Sequence, residues 1–390
     1  MTAMMSAALR AEFPVQFDEV ADFIAASSFE RPTLVISRAK VAAQYDALAD
    51  GLGRARIHYA VKANPAPEII RTLVRKGARF DAASRGEIEL CLAMGAKGRD
   101  ISFGNTIKKP ADIAFAYDAG VMHFAADSEA EIDKIRDHAP DANVYIRVAV
   151  ENSAADWPLS RKFGCAHEAL PGLLDHARAQ DVRVVGLSFH VGSQTRRPEF
   201  WVPVLDQVAA LWHGARLAGH ELSLLNLGGG FPASYDEEVQ GARGYAAAVM
   251  GYVAERFGDV PQIMAEPGRG LVAEAGHIAA EVLLVSRKSA EDLHRWVYLD
   301  IGMFSGLAET AGEAIRYQFI TRHDGGEMGP CVLAGPSCDS ADILYEQRPV
   351  TLPLALRCGD RVMIRHCGAY TSSYASVGFN GFPPLEVIVL

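Results

Sequence analysis

The stretch RIHYAVKANPAPEIIRTLVRKGARFDAAS, residues 56–84, alternates two short apolar segments with one amphipathic segment. RIHYAVKA and ARFDAAS have the length and the apolar composition that are typical of buried strands. Between them, EIIRTLVRKGA places Ile69, Ile70, Leu73 and Val74 on one face of a helix. The stretch therefore predicts two parallel strands joined by a crossover helix.

The same alternation continues along the chain. The further candidate strands are DISFGN, VMHFAAD, NVYIRVAV, VVGLSFHVGS, LSLLNLGGG and QIMAEPGRG. Each candidate strand except the last is followed by a helix-like segment, of which GEIELCLAMGA is one example. Eight such units over residues 38–275 predict an α/β fold, a (β/α)8 TIM-like barrel.

After residue 275 the pattern changes to short β-rich segments separated by glycine, proline and aspartate. These segments are EVLLVSR, RWVYLDIG, CVLAGPS, RVMIRHCG and LEVIVL. They predict an all-β domain formed by residues 1–37 and 276–390, to which PTLVIS near the start of the chain adds a strand. The barrel domain is expected to end at residue 275.

The composition limits the classes of function. The chain has 390 residues and a net charge of −10, which argues against a nucleic-acid-binding surface. The first residues lack the pattern of a signal peptide, and no apolar run approaches the ~18 residues of a membrane helix. The 6 cysteines form no C-x-x-C pair, and no histidine pair has zinc-ligand spacing. We therefore predict a cytoplasmic protein with reduced thiols and no metal site.

Polar residues lie at the predicted carboxyl ends of the barrel strands. In a parallel barrel these ends meet at one mouth, where active sites are built. We therefore expect the following residues to form a site: Lys62, Asp81, Arg147, His190, Gly228, Gly229, Gly230, Glu266 and Arg269.

Lys62 and the glycine cluster each have two possible interpretations. Lys62 at the end of an apolar strand is either a desolvated, nucleophilic amine or a lysine that extends its ammonium into solvent. The glycines at 228–230 either bring backbone N–H groups close to a phosphate, together with Arg269 and Ser193, or form a plain turn. Their place after the seventh strand favours a phosphate site.

His190 and Glu266 are also open to two interpretations. His190, in SFHVGSQ, is either a wall beside a planar ring or a core residue. Glu266, in MAEPGRG, pairs either with a cationic ring nitrogen or with Arg269. In the second domain, GPSCDSADIL and HCGAYTSS place Cys338, Asp339 and Tyr370 in loops rather than in strands.

The motifs YAVKAN, FDAAS, FHVGSQ, LGGGFP, EPGR, GPSCDSAD and GAY occur in one order along the chain. Together they resemble the fold-type III, pyridoxal-phosphate-dependent amino-acid decarboxylases of the ornithine decarboxylase-like family. The resemblance runs from about residue 33 to the C-terminus. It implies an alanine racemase-like barrel with a β domain, pyridoxal 5'-phosphate as the cofactor, and homodimers whose active sites lie at the subunit interface.

The resemblance also implies roles for single residues. Lys62 matches the Schiff-base lysine, His190 the histidine that stacks on the cofactor ring, and Glu266 the acid that pairs with the pyridine nitrogen. Other matches are phosphate-binding positions (Ser193, Gly229, Gly230, Gly268, Arg269, Tyr370) and a polar cluster (Asp81, Arg147, Lys162). Cys338 matches a cysteine that reaches the substrate from the partner subunit and protonates carbon after CO2 is lost. Asp339 matches the acid that binds the distal amine of the substrate.

The Cys338-Asp339 pair and FGNTIKK resemble bacterial ornithine or ornithine/lysine decarboxylases. The leading prediction is L-ornithine decarboxylation to putrescine. Either Glu309 or Glu313, in the segment IGMFSGLAETAGEAIRY, is expected to bind the substrate. Lysine stays open as a second substrate, because one methylene is worth only ~1–3 kcal/mol in a pocket. Diaminopimelate, carboxynorspermidine and a non-catalytic protein similar to antizyme inhibitors are the alternatives.

Overall fold

A computed structural model describes residues 19–151 and 162–390. The described chain divides into two units. One, the barrel unit, comprises residues 41–151, 162–233 and 239–271. The other, the β unit, comprises residues 19–40, 234–238 and 272–390.

The barrel unit contains the predicted closed barrel of 8 parallel strands. The strands are β2 (Arg56–Ala60), β3 (Arg79–Ala82), β4 (Ile101–Phe103), β5 (His123–Ala126), β6 (Asn143–Arg147), β7 (Val184–Ser188), β8 (Leu224–Asn226) and β9 (Gln262–Ala265). The barrel closes through β2 and β9, where Arg56 is in register with Met264. Each strand is shorter than its apolar segment, and the remaining residues form the loops at the mouth.

The crossovers between the barrel strands are helical. In chain order the helices are α2 (Arg38–Leu52), α3 (Pro67–Lys76), α4 (Arg85–Ala93), α5 (Pro110–Asp118), α6 (Glu129–His138), α7 (Leu170–Ala179), α8 (Val202–Leu217), α9 (Ala242–Phe257) and the short α10 (Arg269–Val272). Helix α3 begins at Pro67 and ends before Gly77, which has a φ of +81°. Proline at the first turn and a left-handed glycine after the last are the usual helix boundaries.

The β unit is built around one sheet of 9 strands. Its strands are β1 (Thr33–Ile36), β10 (Gly276–Ser286), β11 (Arg295–Leu299), β12 (Phe319–Thr321), β13 (Met328–Ala334), β14 (Ile343–Leu344), β15 (Val350–Pro353), β16 (Arg361–Ile364) and β17 (Glu386–Val389). β1 pairs antiparallel with β10 and parallel with β17. The prediction that PTLVIS adds a strand to the all-β domain is therefore confirmed.

The sequence analysis missed several elements of the β unit. These are the helix α1 (Glu19–Ala26) and the strands β12, β14 and β15. Helix α1 buries Val20 and Ile24 in a cluster with Val35 and Met363. The three strands have only two to four residues, too few for a periodic pattern to stand out. Among the described residues, no helix has both the length and the apolar character needed to cross a membrane.

Candidate active site

Lys62 lies in a 3-10 turn, Val61–Ala63, directly after β2. Its Nζ is 3.5 Å from Oδ2 of Asp81, a buried residue of β3. The Lys62 side chain is 50% exposed whereas that of Asp81 is 4% exposed. Of the two interpretations of Lys62, the half-exposed side chain agrees with the lysine that extends toward solvent. The amine lies at the carboxyl end of β2, beside the Asp81 carboxylate.

Glu266 is the first residue after β9, and its carboxylate accepts a hydrogen bond from Asn226. Asn226 Nδ2 is 2.5 Å from Glu266 Oε1. Burial and the negative charge of Asp81 raise the pKa of Glu266 to about 7, while Asn226, Lys62 and Arg147 act in the opposite direction. The Glu266 carboxyl can therefore hold or release a proton near neutral pH.

Asn226 is a site residue that the sequence analysis missed. Besides the bond to Glu266, its Oδ1 accepts the N–H of Gly228 at 2.9 Å. The residue thus connects the carboxylate to the glycine turn. A weak signal was present in LSLLNLGGG, where Asn226 is a polar side chain between the leucines, two residues before the glycines.

His190 follows β7 by two residues and is in its neutral form. Its Nδ1 accepts the N–H of Gly192 at 2.9 Å, which assigns the ring proton to Nε2. Loss of solvent contact, together with the positive charges of Arg147 and Lys62, lowers the pKa of His190 to about 3. A neutral imidazole with a fixed orientation is better suited to stacking on another planar ring than to forming an ion pair.

The glycine turn after β8 leaves no room for side chains. A Cβ at Gly229 would lie 2.8 Å from His190 Nε2, and one at Gly230 would lie 2.3 Å from Val191 Cγ2. Gly228 and Gly230 also have φ values of +64° and +103°, which favour glycine. In this turn the backbone therefore comes so close to His190 and Val191 that only glycine can be accommodated.

A buried guanidinium and a hydroxyl lie together in the same unit. Arg269 is 3% exposed. Its guanidinium donates to Ser193 Oγ at 3.0 and 3.3 Å. Gly268 lies between Glu266 and this arginine in the chain. A buried arginine with a hydroxyl beside it is a suitable pair of donors for a phosphate.

Arg147 is the last residue of β6, and its guanidinium carbon lies 5.2 Å from the centre of the Phe163 ring. Lys162 Nζ lies 4.9 Å from the same centre. Phe163 was not predicted, because an aromatic residue in a loop carries no periodic signal. Two members of the predicted cluster of Asp81, Arg147 and Lys162 thus contact the same aromatic ring, and the cluster as a whole stays a prediction.

The predicted residues of the second domain lie in loops of the β unit. Cys338 is exposed, and its N–H donates to Asn380 Oδ1 at 2.7 Å. Asp339 is also exposed, and its Oδ1 accepts the N–H of Ala341 at 2.9 Å. Tyr370 has a φ of +54°, a conformation that non-glycine residues rarely adopt.

The two candidate glutamates differ in their contacts. Glu313 Oε1 accepts the N–H groups of Gln347 and Arg348 at 2.7 and 3.1 Å. Its Oε2 pairs with the guanidinium groups of Arg316 and Arg348 at 2.8 and 3.1 Å. Burial alone would raise the pKa of Glu313, but these donors outweigh it and lower the pKa. Both oxygens of Glu313 are thus occupied. Glu309 is a second buried acid, in the same short 3-10 segment, Ala308–Glu313.

Comparison with known proteins identifies the family. The family model described as pyridoxal-dependent decarboxylase, pyridoxal binding domain, matches residues 38–273. The chain therefore belongs to the pyridoxal-dependent decarboxylases that include the ornithine, lysine and arginine enzymes. It is 33% identical to the lysine/ornithine decarboxylase of Selenomonas ruminantium over 354 residues, which cover 90% of this chain and 87% of that protein.

Two solved structures share the whole architecture. One is a lysine/ornithine decarboxylase from Vibrio vulnificus complexed with cadaverine, with a TM-score of 0.85, 33% identity, and coverage of 96% of this chain and 100% of that one. The other is the arginine decarboxylase of Paramecium bursaria Chlorella virus, with a TM-score of 0.82, 29% identity, and coverage of 92% and 96%. The predicted family and fold class are confirmed.

The cofactor of the family is pyridoxal phosphate, and the residues of the barrel unit fit it. The turn at Gly229 and Gly230 has the close backbone approach that a phosphate needs. Arg269 and Ser193 supply a cation and a hydroxyl. Glu266 is an acid suited to a ring nitrogen, and the exposed amine of Lys62 is suited to an aldehyde. Among the residues that the structure describes, no group of acids, histidines and cysteines could hold a metal ion.

Proposed function

We propose that the protein decarboxylates L-ornithine to putrescine and CO2, and that it accepts L-lysine as a second substrate. The observation that carries the substrate assignment is the set of acids in the β unit, Asp339 next to Cys338 and the buried Glu309. Carboxylates are the natural partners of a distal ammonium group. The relatives from S. ruminantium and V. vulnificus support the proposal, because both are named lysine/ornithine decarboxylases.

In this proposal the amine of Lys62 is the group that would hold the cofactor at its aldehyde. When bound, pyridoxal phosphate supplies an electron sink for the bond that is broken as CO2 leaves. Glu266 keeps a proton available beside the ring nitrogen, as its raised pKa allows. Asp81 faces the Lys62 amine and favours its protonated form.

Binding and orientation fall to the remaining residues of the barrel. Arg269, Ser193 and the turn at Gly229–230 would hold the phosphate. Gly268 and Tyr370 are further candidates for phosphate binding, because they match such positions in the family. His190, which is neutral because its pKa is lowered, would lie beside the ring without adding a charge. Arg147 adds a positive charge that acts on both His190 and Glu266.

We further propose a homodimer in which Cys338 and Asp339 of one subunit serve the active site of the other. The exposed thiol of Cys338 then protonates the carbon from which CO2 has left. Asp339 and Glu309 bind the distal amine, and Glu313 holds the chain locally through Arg316 and Arg348. Cytoplasmic location stays a prediction.

The test is a substrate panel with the purified, cofactor-loaded protein. L-ornithine, L-lysine, L-arginine, meso-diaminopimelate and carboxynorspermidine are supplied separately, and the amine products are identified by mass spectrometry. We expect putrescine in highest yield and cadaverine in lower yield. A different amine as the main product would overturn the substrate assignment. Cofactor binding without any product would favour a non-catalytic binding protein.

A further inference from the structure

Lys108 is a fully buried lysine in the loop between β4 and α5, and the function proposed above gives it no role. Its Nζ lies 2.8 Å from Asn105 O and 2.6 Å from Ala125 O. The same Nζ pairs with Glu131 Oε1 of α6 at 2.8 Å, and the exposed fractions of the two side chains are 0% and 3%. Burying an ammonium is costly unless every donor has a partner, so this set of contacts is a specific local arrangement.

A second lysine closes the arrangement from α6. Lys134 Nζ lies 2.5 Å from Glu131 Oε2 and 2.6 Å from the backbone oxygen of Lys108. Glu131 thus holds Lys108 through its side chain, while Lys134 holds the backbone of the same residue. The loop of residues 104–109 is therefore fixed to α6 at its distal end.

The near end of this loop lies against Asp81. The position that a Cβ of Gly104 would occupy is 1.9 Å from Asp81 Oδ1, so the backbone of Gly104 directly abuts that oxygen. The loop is also bonded to β3 and the residue after it. Gly104 N donates to Ala82 O at 3.0 Å, and Asn105 Nδ2 donates to Ala83 O at 3.2 Å.

The Asp81 carboxylate has the backbone of Gly104 as its close neighbour on this side. Asp81 Oδ1 is buried and accepts no hydrogen bond from the residues that the structure describes, while Oδ2 faces Lys62. A carboxylate oxygen without a donor keeps its position only as long as the backbone beside it does. The contacts that fix the 104–109 loop therefore also fix the orientation of the Asp81 carboxylate, which faces the Lys62 amine.

We propose that Lys108 is a positioning residue. It fixes the 104–109 loop against Asp81 and thereby determines the orientation of the carboxylate that faces Lys62. This inference rests on the proposed roles of Lys62 and Asp81. The charged groups facing Lys108 are Glu131 and Lys134 of α6 and Asp127 of the preceding loop. Burial lowers the pKa of Lys108 to about 8, and Glu131 opposes that change.

The test compares Lys108→Met, which keeps the length of the side chain and removes its donors, with Lys109→Met. Lys109 is the adjacent, exposed lysine and serves as the matched control. Asp81→Asn defines the full effect of losing the carboxylate charge. The first readout is the pH midpoint of the absorbance of the bound cofactor. The second is amide hydrogen exchange in residues 104–109 of the cofactor-free protein.

The negative charge of Asp81 favours the protonated form of the group that it faces. If Asp81 is displaced, that group loses its proton more easily, and the midpoint of the cofactor absorbance moves to lower pH. We expect Lys108→Met to move it in the same direction as Asp81→Asn, by a smaller amount, with faster exchange in the loop and no effect of Lys109→Met. We also expect kcat to fall about 10- to 100-fold, since small displacements at a site have effects of this size. A lower Tm with an unchanged absorbance midpoint would overturn the inference and leave Lys108 a purely structural residue.

The two proposals fail in different ways. If the substrate assignment is wrong, no ornithine is consumed, but the absorbance and exchange measurements still report on Lys108. If the inference is wrong, ornithine is consumed and Lys108→Met has the absorbance midpoint of the unmodified protein.

Discussion

The amide of Asn226 donates to the carboxylate of Glu266 at 2.5 Å, and so stabilises the ionised form of an acid whose pKa is otherwise raised. Asn226→Ala removes this donor, and we expect the pKa of Glu266 to rise above its present value of about 7. Removing a hydrogen bond to a charged group costs about 1.5–3 kcal/mol, which corresponds to a loss of roughly 10- to 100-fold in kcat/KM. The pH dependence of kcat/KM checks this expectation. An unchanged profile would show that the amide does not act on Glu266.

The raised pKa of Glu266 also leads to a prediction of how stability depends on pH. Its folded pKa of about 7 lies above the ordinary value of about 4.3 for an unfolded glutamate. Between these two values the folded protein keeps a proton that the unfolded chain has released, so this group lowers stability as the pH rises through the window. We expect the free energy of unfolding of the cofactor-free protein to fall less between about pH 5 and about pH 7 in Glu266→Gln. Urea unfolding at the two pH values measures the difference, and equal losses in both proteins would contradict the assignment.

Gly230→Ala should disrupt the glycine turn. A methyl group there would lie 2.3 Å from Val191 Cγ2, and the alanine would also have to adopt a φ of +103°. Gly219→Ala is the matched control, because Gly219 has a φ of +85° and no atom within 4 Å of its Cβ position. We expect both variants to lose about 1 kcal/mol of stability from the backbone conformation. Only Gly230→Ala should also weaken cofactor binding, measured by fluorescence titration. Equal cofactor affinity in the two variants would contradict the role of the turn.

Glu309 and Glu313 can be separated by one pair of variants. Glu313→Gln leaves Arg316 and Arg348 without their shared partner, so we expect a loss of about 1–3 kcal/mol in unfolding free energy with little change in KM. Glu309→Gln should raise the KM for ornithine and change stability less. Urea unfolding and steady-state kinetics of both variants provide the measurements. The opposite pattern would exchange the two roles.

The shared active site can be tested by mixing two inactive variants. Lys62→Ala lacks the amine that holds the cofactor, and Cys338→Ala lacks the thiol of the β unit. If the two residues serve one site from different subunits, subunit exchange produces some dimers with one intact site. We expect the mixture to regain up to about a quarter of the unmodified activity. No recovery, with subunit exchange shown by native mass spectrometry, would place both residues in the site of a single subunit.

The sequence was sufficient to predict the barrel because each strand there is a continuous apolar segment followed by an amphipathic helix. The strand ends were less accurate, since apolar residues such as Val61 and Phe189 continue past the last ladder bond into the loops at the mouth. The short strands β14 and β15 were missed because two to four residues cannot show a period.

The candidate site could be predicted only where a residue type was unusual for its place. Lys62, His190 and Glu266 stand out at the ends of apolar segments. Asn226 and Phe163 were missed because an amide among leucines and an aromatic residue in a loop are common in proteins. The exposure of Lys62 could not be decided from the sequence, because a lysine at the end of an apolar strand can be either desolvated or extended into solvent, and the structure gives a half-exposed side chain.

The most direct measurement is the release of labelled CO2 from L-ornithine labelled in its carboxyl group. The cofactor-loaded protein and its Lys62→Ala variant are compared at equal concentration, with putrescine quantified in the same samples. We predict that the unmodified protein releases CO2 and putrescine in equal amounts over many turnovers and that the variant releases neither above background. Equal release by both proteins, or CO2 without putrescine, would contradict decarboxylation of ornithine at Lys62.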